Sequence, residues 1–404
     1  MSPRTLGRPR PLYATCDAGG EEALATELRK LRCQEVEPAH RGVYFWGGEE
    51  EVWKVNLYSR LANRVLLPLS SFPAEDRHAL YDACKKIRWD WWVHTSQTIA
   101  VDASSHRSMM NHTHFIAQVV KDAVVDSMRE RFDERPSVDA KQPDLPINAR
   151  ISDNICTISL DTSGARLHRR SYRQDGGIAP MKETLASLLN HLIAWRPHEP
   201  IIDLTCGSGT ILLEAALRAQ MIPVGSLRLE ADGFAFQAWR SHSQTKFDTW
   251  WTNRPQSKPF AAHFWGSDIS RKQISRAQAN ASRAGVAEHI HFTVGEFNQS
   301  AQEAAQWLEN RLNSDLPQKG QKARKAVLLM NLPYGERLES HPEEAVKLFR
   351  DLGQQLKAHF QGCEAWLLVA DDSPWREVGL KPKKQIQLKN GGIPVRLVQF
   401  PLYR

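Results

Sequence analysis

The chain has 404 residues, 41% hydrophobic and 25% charged, with a formal net charge of +7; that length holds two or three domains with full cores, and the basic balance favours a polyanionic partner. Six cysteines, at 16, 33, 84, 156, 206 and 363, form no CxxC pair and no zinc spacing, which points to reduced thiols and no metal site. The basic start lacks an apolar stretch of signal-peptide length and no run approaches the ~20 apolar residues of a membrane span, so a soluble cytoplasmic protein is expected.

The first elements alternate. "PLYATC" is apolar and β-prone, and "EEALATELRKL" sets Leu24, Leu28 and Leu31 at helical spacing after the Gly19-Gly20 turn. "QEVEPAHRGVYFWGG" reads as two short strands. "EEVWKVNLYSRLANR" places Val52, Val55, Leu57 and Leu61 near one helical stripe, and "VLLPL" follows as a strand. Residues 11–70 are thus expected to form a small α+β sheet with helices on one face. Over 71–165 the spacing predicts a helix in "HALYDACKKIRWDWW", a strand in "TIAVDAS" and a long amphipathic helix in "HFIAQVVKDAVVDSMRERF". "RPSVDAKQPDLP" carries three prolines and reads as a loop or extended segment, and "INARISDNICTISLDTSG" as a hairpin turning at Asp153-Asn154.

Residues 166–180 carry Arg166, Arg169, Arg170 and Arg173 with Tyr172 among them. Two readings stand side by side: a solvated linker, or a phosphate-contacting seam between domains.

From about Pro180 short buried strands alternate with long helices, the pattern of a mostly parallel sheet covered on both faces. The strands are "IIDL", "HFWGSD", "IHFTVGE", "VLLMN" and "AWLLVA"; the helices are "TILLEAALRAQ", "SRKQISRAQANASRAG" with Ser270 as N-cap, and "EEAVKLFRDLGQQLKAHF". "KQIQLKN" and "PVRLVQFPLY" flank Asn390-Gly391-Gly392 as a terminal antiparallel pair. Residues 222–262 interrupt the alternation with a segment rich in Trp, Arg and Gln.

Polar residues mark the strand ends. In "DLTCGSGT", Gly207 and Gly209 let the backbone approach a ligand at a helix N-terminus, or simply form a tight turn. Leu212 stands where a dinucleotide fold wants its third glycine. Asp203 suits a cation, such as the amino group or sulfonium of S-adenosyl-L-methionine, better than a phosphate. Asp268 is placed to accept ribose hydroxyls and Glu296 to accept from an adenine amine. "NLPY" closes the fourth strand with a hydrogen-bonding Asn331, a rigid Pro333 and an aromatic Tyr334. Cys206 as a nucleophile is disfavoured, its small size being reason enough for its place in the loop.

These strand ends make residues 180–404 resemble a class I S-adenosyl-L-methionine-dependent methyltransferase, with "DLTCGSGT" as first motif and "NLPY" as fourth. The whole chain is similar to a narrower group, the THUMP-containing RNA guanine-N2 methyltransferases of the bacterial large-subunit ribosomal RNA type, through "SRLANRVLLPL", "RPSVDAKQPDLPINARI", "LHRRSYR", "GGIAPMKETLA" and "NLPYGERL". The resemblance implies an α/β, Rossmann-like catalytic domain with a seven-stranded sheet over 181–404, preceded by a ferredoxin-like domain (11–70) and a THUMP RNA-binding domain (71–165). It implies cofactor contacts at Lys182, Glu183, Thr184, Asp203, Thr205, Cys206, Gly207, Gly209, Thr210, Asp268, Ile269, Glu296 and Asn331. Catalytic roles fall to Asn331, Leu332, Pro333 and Tyr334, and RNA contacts to Arg166, Arg169, Arg170, Arg173 and Arg337, the last of which could equally pair with Glu336 or Glu339 on the surface. Leu332 replaces the proline usual in ribosomal members, and Glu296 an aspartate. Three alternatives share these features: a tRNA guanine-N2 enzyme, an adenine-N6 enzyme, and a non-catalytic RNA-binding assembly factor.

Overall fold

The computed structural model describes residues 9–173, 181–255, 258–314, 326–333 and 342–403. Its contacts divide the chain into two units, Met1–Arg169 with Val224–Gln256, and Arg170–Pro223 with Ser257–Arg404. No helix among the described residues is long and apolar enough to cross a membrane.

The first unit runs β1 (Arg10–Thr15), α1 (Glu21–Lys30), β2 (Gln34–Ala39), β3 (Gly42–Gly47), α2 (Glu49–Tyr58), β4 (Arg64–Pro73), α3 (Arg77–Lys85), β5 (Thr98–His106), α4 (Thr113–Phe132), β6 (Ser137–Val138), β7 (Leu145–Ser152) and β8 (Ile155–Asp161). Its strands form one eight-stranded sheet in the order β2-β3-β1-β4-β8-β7-β5-β6. The long β4 makes the sheet continuous: its start pairs with β1 at Arg64 to Leu66, and Leu66 to Pro73 pair with β8 across a register shift between Pro68 and Ser70. At the β7–β8 hairpin Asp153 and Asn154 both take positive φ, 50° and 63°, the conformation a two-residue hairpin turn requires.

The proline-rich 135–146, expected as loop or extended chain, supplies the two-residue β6, parallel to the start of β5. One stretch departs from the sequence reading. The helix expected through Trp92 ends at Lys85, because Trp89 is fully buried in a short turn where its indole N–H donates to the Cys84 carbonyl at 2.9 Å.

Most of the Trp-rich segment also belongs to the first unit. It carries α7 (Ser226–Ala231) and α8 (Gln244–Thr252). The Gly225 amide donates to the Leu57 carbonyl (2.8 Å), the Phe236 amide to Thr162 (3.1 Å) and the Gln97 side chain to the Ala238 carbonyl (2.7 Å). The buried Arg228 guanidinium donates to the Ser163 and Ala165 carbonyls at 2.5 and 2.6 Å. Trp53 packs on Phe247 and Trp250, with ring centroids 5.3 and 5.5 Å away.

The second unit contains α5 (Glu183–Leu192), β9 (Ile201–Asp203), α6 (Thr210–Ala219), β10 (Phe264–Asp268), α9 (Arg271–Arg283), β11 (Ile290–Val294), α10 (Phe297–Ser314), β12 (Val327–Asn331), α11 (Pro342–His359), β13 (Glu364–Ala370), β14 (Lys384–Asn390) and β15 (Ile393–Pro401). Among the described residues the sheet has seven strands, in the order β11-β10-β9-β12-β13-β15-β14. The first five are parallel; β15 runs antiparallel to both β13 and β14, so β14 shares the direction of the first five. The antiparallel end is the hairpin expected around Gly391. Two helices, α5 and α10, have no counterpart in the sequence reading. Eight of the ten α5 residues are buried, so it shows no polar stripe to set against an apolar one. In α10 the buried positions include Ala301, Ala304 and Leu308, a stripe of mostly small side chains.

Candidate active site

The second sheet winds outward in both directions from the β9–β12 pair: β10 and β11 lie on one side, β13 on the other. That reversal leaves a crevice beyond the carboxyl ends of β9 and β12, where open α/β sheets bind ligands. A cavity of about 470 Å3 opens there, lined by Asp203, Thr205, Cys206, Gly207, Thr210 and Asn331, by Arg173, and by one face of α9. Its size is that of a small-ligand site.

The loop after β9 is shaped by its glycines. Gly207 and Gly209 take φ of 54° and 82°, a left-handed backbone that costs other residues roughly 1–2 kcal/mol. A Cβ on Gly209 would lie 3.1 Å from the Phe292 ring, whereas one on Gly207 would meet nothing within 4 Å and stand in open space. Hydrogen bonds pin the loop: Cys206 N–H to the Ser267 carbonyl (2.9 Å), Gly209 N–H to the Cys206 carbonyl (2.8 Å) and Gly207 N–H to Asp268 Oδ2 (3.0 Å). The other oxygen of Asp268 accepts from the Ser270 amide at 2.9 Å, where α9 begins and the Ser270 hydroxyl oxygen caps it. Asp268 therefore braces the glycine loop and does not line the cavity. An aspartate just before a helix start bonds its own following amide readily.

Asp203 is 2% exposed. Its Oδ1 accepts from the Thr205 amide (3.1 Å) and hydroxyl (3.4 Å). Burial pushes its carboxyl up to about 8; the Thr205 amide opposes that rise and the neighbouring Asp268 adds to it. A cation in the cavity would relieve this buried acid. The Thr205 hydroxyl also donates to the Asn331 carbonyl at 3.4 Å, joining the ends of β9 and β12. Asn331 Oδ1 is buried and has no hydrogen-bond partner among the described residues. Such an orphaned acceptor costs about 1–3 kcal/mol and calls for a donor.

The Leu332 side chain is 1% exposed and sits in the core between the sheet and α11, while its amide donates to the Leu368 carbonyl at 3.1 Å. Pro333 is exposed. Tyr334 and Arg337 lie outside the described residues.

The basic stretch divides. Arg166 and Arg169 are exposed. Arg170 is 2% exposed and faces Glu214 (3.8 Å), and Arg173 reaches Glu183 (3.3 Å), the Thr210 hydroxyl (2.5 Å) and the Met181 carbonyl (3.2 Å). The Arg170 guanidinium is therefore turned away from solvent, against both the solvated-linker and the RNA-seam readings, while Arg173 faces the cavity. Buried carboxylates draw both arginines in, and Arg173 becomes part of the cavity wall. Glu183 and Thr184 are buried at the start of α5, with Lys182 as N-cap. Ile269 is 73% exposed and Glu296 is exposed; neither lines the cavity.

Burial holds the Cys206 thiol well above its ordinary value, with Asp203 and Asp268 adding to the rise, so it stays protonated and makes a poor nucleophile. The described residues hold no cluster of metal-ligating side chains. The α9 face of the cavity, with Lys272, Arg276, Asn280 and Arg283, is absent from the sequence reading. A helix of thirteen residues with four cations and no acid was the available signal.

Comparison with known proteins agrees with this geometry. A family profile described as "RMKL-like, methyltransferase domain" matches residues 170–399, a THUMP domain profile matches 74–161, and an RlmL ferredoxin-like domain profile matches 11–66. The chain is 36% identical over 400 residues to the Synechocystis protein slr0064, named as a candidate RNA methyltransferase, covering 98% of this chain and 97% of that one. It is 36% identical over 405 residues to the ribosomal RNA large subunit methyltransferase K/L of Syntrophotalea carbinolica, covering 98% of this chain and 54% of the relative. The chain thus spans about half the length of the K/L relatives it matches. Among solved structures, SMU.472, a candidate methyltransferase complexed with SAH, superposes with a TM-score of 0.79 at 25% identity, covering 98% and 99% of the two chains. A Listeria monocytogenes protein, titled a predicted N6-adenine-specific DNA methylase, gives 0.78 at 27% identity, covering 99% of each.

Proposed function

The chain belongs to the RMKL-like methyltransferase family, and from that premise we propose that it moves a methyl group from S-adenosyl-L-methionine to the exocyclic N2 amine of a guanine in RNA, specifically large-subunit ribosomal RNA. The observation that carries this reading is the buried, unpartnered Asn331 Oδ1 beside the cavity that Asp203 also lines.

The cavity fits the cofactor on its own chemistry. Asp203 offers a buried carboxyl that a cationic ligand would stabilise, and the Cβ-free side of Gly207 leaves room for close backbone approach. Asp203, Thr205, Cys206, Gly207 and Thr210 would hold it, and Asn331 would border it with its Oδ1 left for the base. Lys182, Glu183, Thr184, Gly209 and Asp268 would act from behind the wall, and Ile269 and Glu296 from the rim. When bound, S-adenosyl-L-methionine supplies a methyl carbon made electrophilic by a sulfonium.

The remaining work belongs to the chain. A guanine amine is a weak nucleophile because its lone pair is delocalised into the ring. Asn331 Oδ1 and the Leu332 carbonyl accept its two N–H bonds, which localises the lone pair and turns it toward the cavity. Pro333 fixes the local backbone so that the carbonyl holds its direction. A base inside a duplex cannot reach this crevice, so the target is extruded or already unpaired. Rate then comes from alignment rather than from a strong base.

The test is Asn331→Ala. Calorimetry should find binding of the demethylated cofactor product retained, while turnover falls by roughly 10²–10³, the loss typical of one transition-state hydrogen bond. Near-normal methyl transfer would refute the assignment.

A second reading draws on the Listeria neighbour's title. An adenine N6 amine offers the same two N–H bonds to Asn331 and Leu332. The THUMP match over 74–161 and the ribosomal-RNA names among the relatives favour guanine in RNA.

A further inference from the structure

We propose that the cavity-facing side of α9 is a phosphate-binding track for the RNA substrate, built into the methyltransferase unit itself. The inference rests on the reading of RNA as substrate and adds the surface that holds it.

Helix α9 carries Arg271, Lys272, Arg276 and Arg283 and no Asp or Glu. Ile274, Ala277 and Ala281 are buried against the unit, which leaves the cations on the opposite side. Lys272 and Arg276 lie one turn apart and Arg283 two turns further along the same stripe, and all three line the cavity that Asn331 also lines. Arg283 is committed within the fold: its Nε donates to the Tyr172 carbonyl and its Nη2 to Asn280 Oδ1, each at 2.6 Å. The side chains of Arg271, Lys272 and Arg276 make no hydrogen bond or ion pair among the described residues. Two arginines elsewhere in the same unit are paired, Arg350 with Glu377 and Arg396 with Asp371.

Like charges one turn apart on a helix repel. A face that keeps this repulsion with no acid beside it is complementary to an external polyanion. One cofactor carboxylate cannot balance three cations, whereas successive phosphates of a strand can. The support is rigid, because Asn280 donates from α9 to the Ser208 carbonyl of the glycine loop at 3.3 Å. Phosphates held along Lys272 and Arg276 bring their nucleotides to the mouth of the cavity.

The experiment compares the full chain with its double variant Lys272→Gln, Arg276→Gln, using a fluorescent single-stranded uridine homopolymer titrated at several salt concentrations. Two lost phosphate contacts should flatten the log Kd against log salt slope by about 1.4 and weaken low-salt binding by about tenfold. Calorimetric affinity for S-adenosylhomocysteine and the melting temperature should stay at wild-type values. An unchanged salt slope, where wild type binds the RNA, overturns this proposal alone. Lost S-adenosylhomocysteine affinity with an unchanged slope assigns the cations to the cofactor and also overturns it. Wild-type protein that binds no RNA overturns the substrate reading together with it.

Discussion

A carboxyl held at about 8 keeps its proton in the folded chain over a pH range where the unfolded chain has lost it. Between the ordinary aspartate value and that raised one, the folded state binds more protons, so stability falls as pH rises. Asp203→Asn removes this slope. The ligand-free variant should melt higher than wild type at pH 8 and equal to it near pH 4, with a gain bounded by ~1.4 kcal/mol per unit of raised pKa. It should also lose S-adenosylhomocysteine binding in calorimetry; equal melting shifts at both pH values, or retained binding, would contradict the role given to Asp203. The glycines separate in the same way. Gly207→Ala, whose Cβ meets open space, should cost only the ~1–2 kcal/mol of a left-handed residue yet weaken cofactor affinity. Gly209→Ala adds a clash with Phe292 and should destabilise more in urea melts. Asp203, the two glycines and Asn331 were legible in the sequence because strand ends and left-handed turns announce themselves locally. The bracing role of Asp268 was not, because it depends on which amides the folded loop turns toward it.

At the scale of elements, α6 is tied to α5 and to the 170–173 segment through Glu214. That buried carboxylate accepts from the Tyr172 hydroxyl (3.1 Å) and the Ser187 hydroxyl (2.7 Å) and faces Arg170. Removing it leaves the buried Tyr172 and Ser187 hydroxyls without this acceptor, so Glu214→Ala should cost about 1–3 kcal/mol, read as a lower urea midpoint. An unchanged midpoint would contradict this tie. Periodicity and its N-cap made α9 readable. The Arg170–Glu214 and Arg173–Glu183 pairs were hidden because each joins residues whose approach only the tertiary fold decides. A run of arginines looks the same whether it faces solvent or a buried acid. Helix α5 was lost because a helix buried nearly all round carries no amphipathic period.

For the whole molecule, the division into two units explains a segment that composition alone left unread. Residues 224–256 leave the second unit's chain path and pack on the first, where Trp53, 3% exposed, is enclosed by Phe247, Trp250 and His242. Trp53→Ala should destabilise the first unit by about 3–5 kcal/mol while S-adenosylhomocysteine affinity, a property of the second, is unchanged; a parallel loss of both would contradict the separation. The seven-stranded sheet was foreseeable from alternating strands and helices. The continuous eight-stranded sheet was not, because β4 serves two neighbours and nothing in "VLLPL" shows that its pairing extends to Pro73.

The central claim is that the Asp203–Asn331 crevice methylates a guanine amine in RNA. The most direct measurement incubates the full chain with methyl-tritiated S-adenosyl-L-methionine and unmodified ribosomal RNA, digests the RNA to nucleosides and identifies the labelled one. Label in N2-methylguanosine of the large-subunit RNA is the predicted result; label in N6-methyladenosine, or in no nucleoside at all, would contradict it.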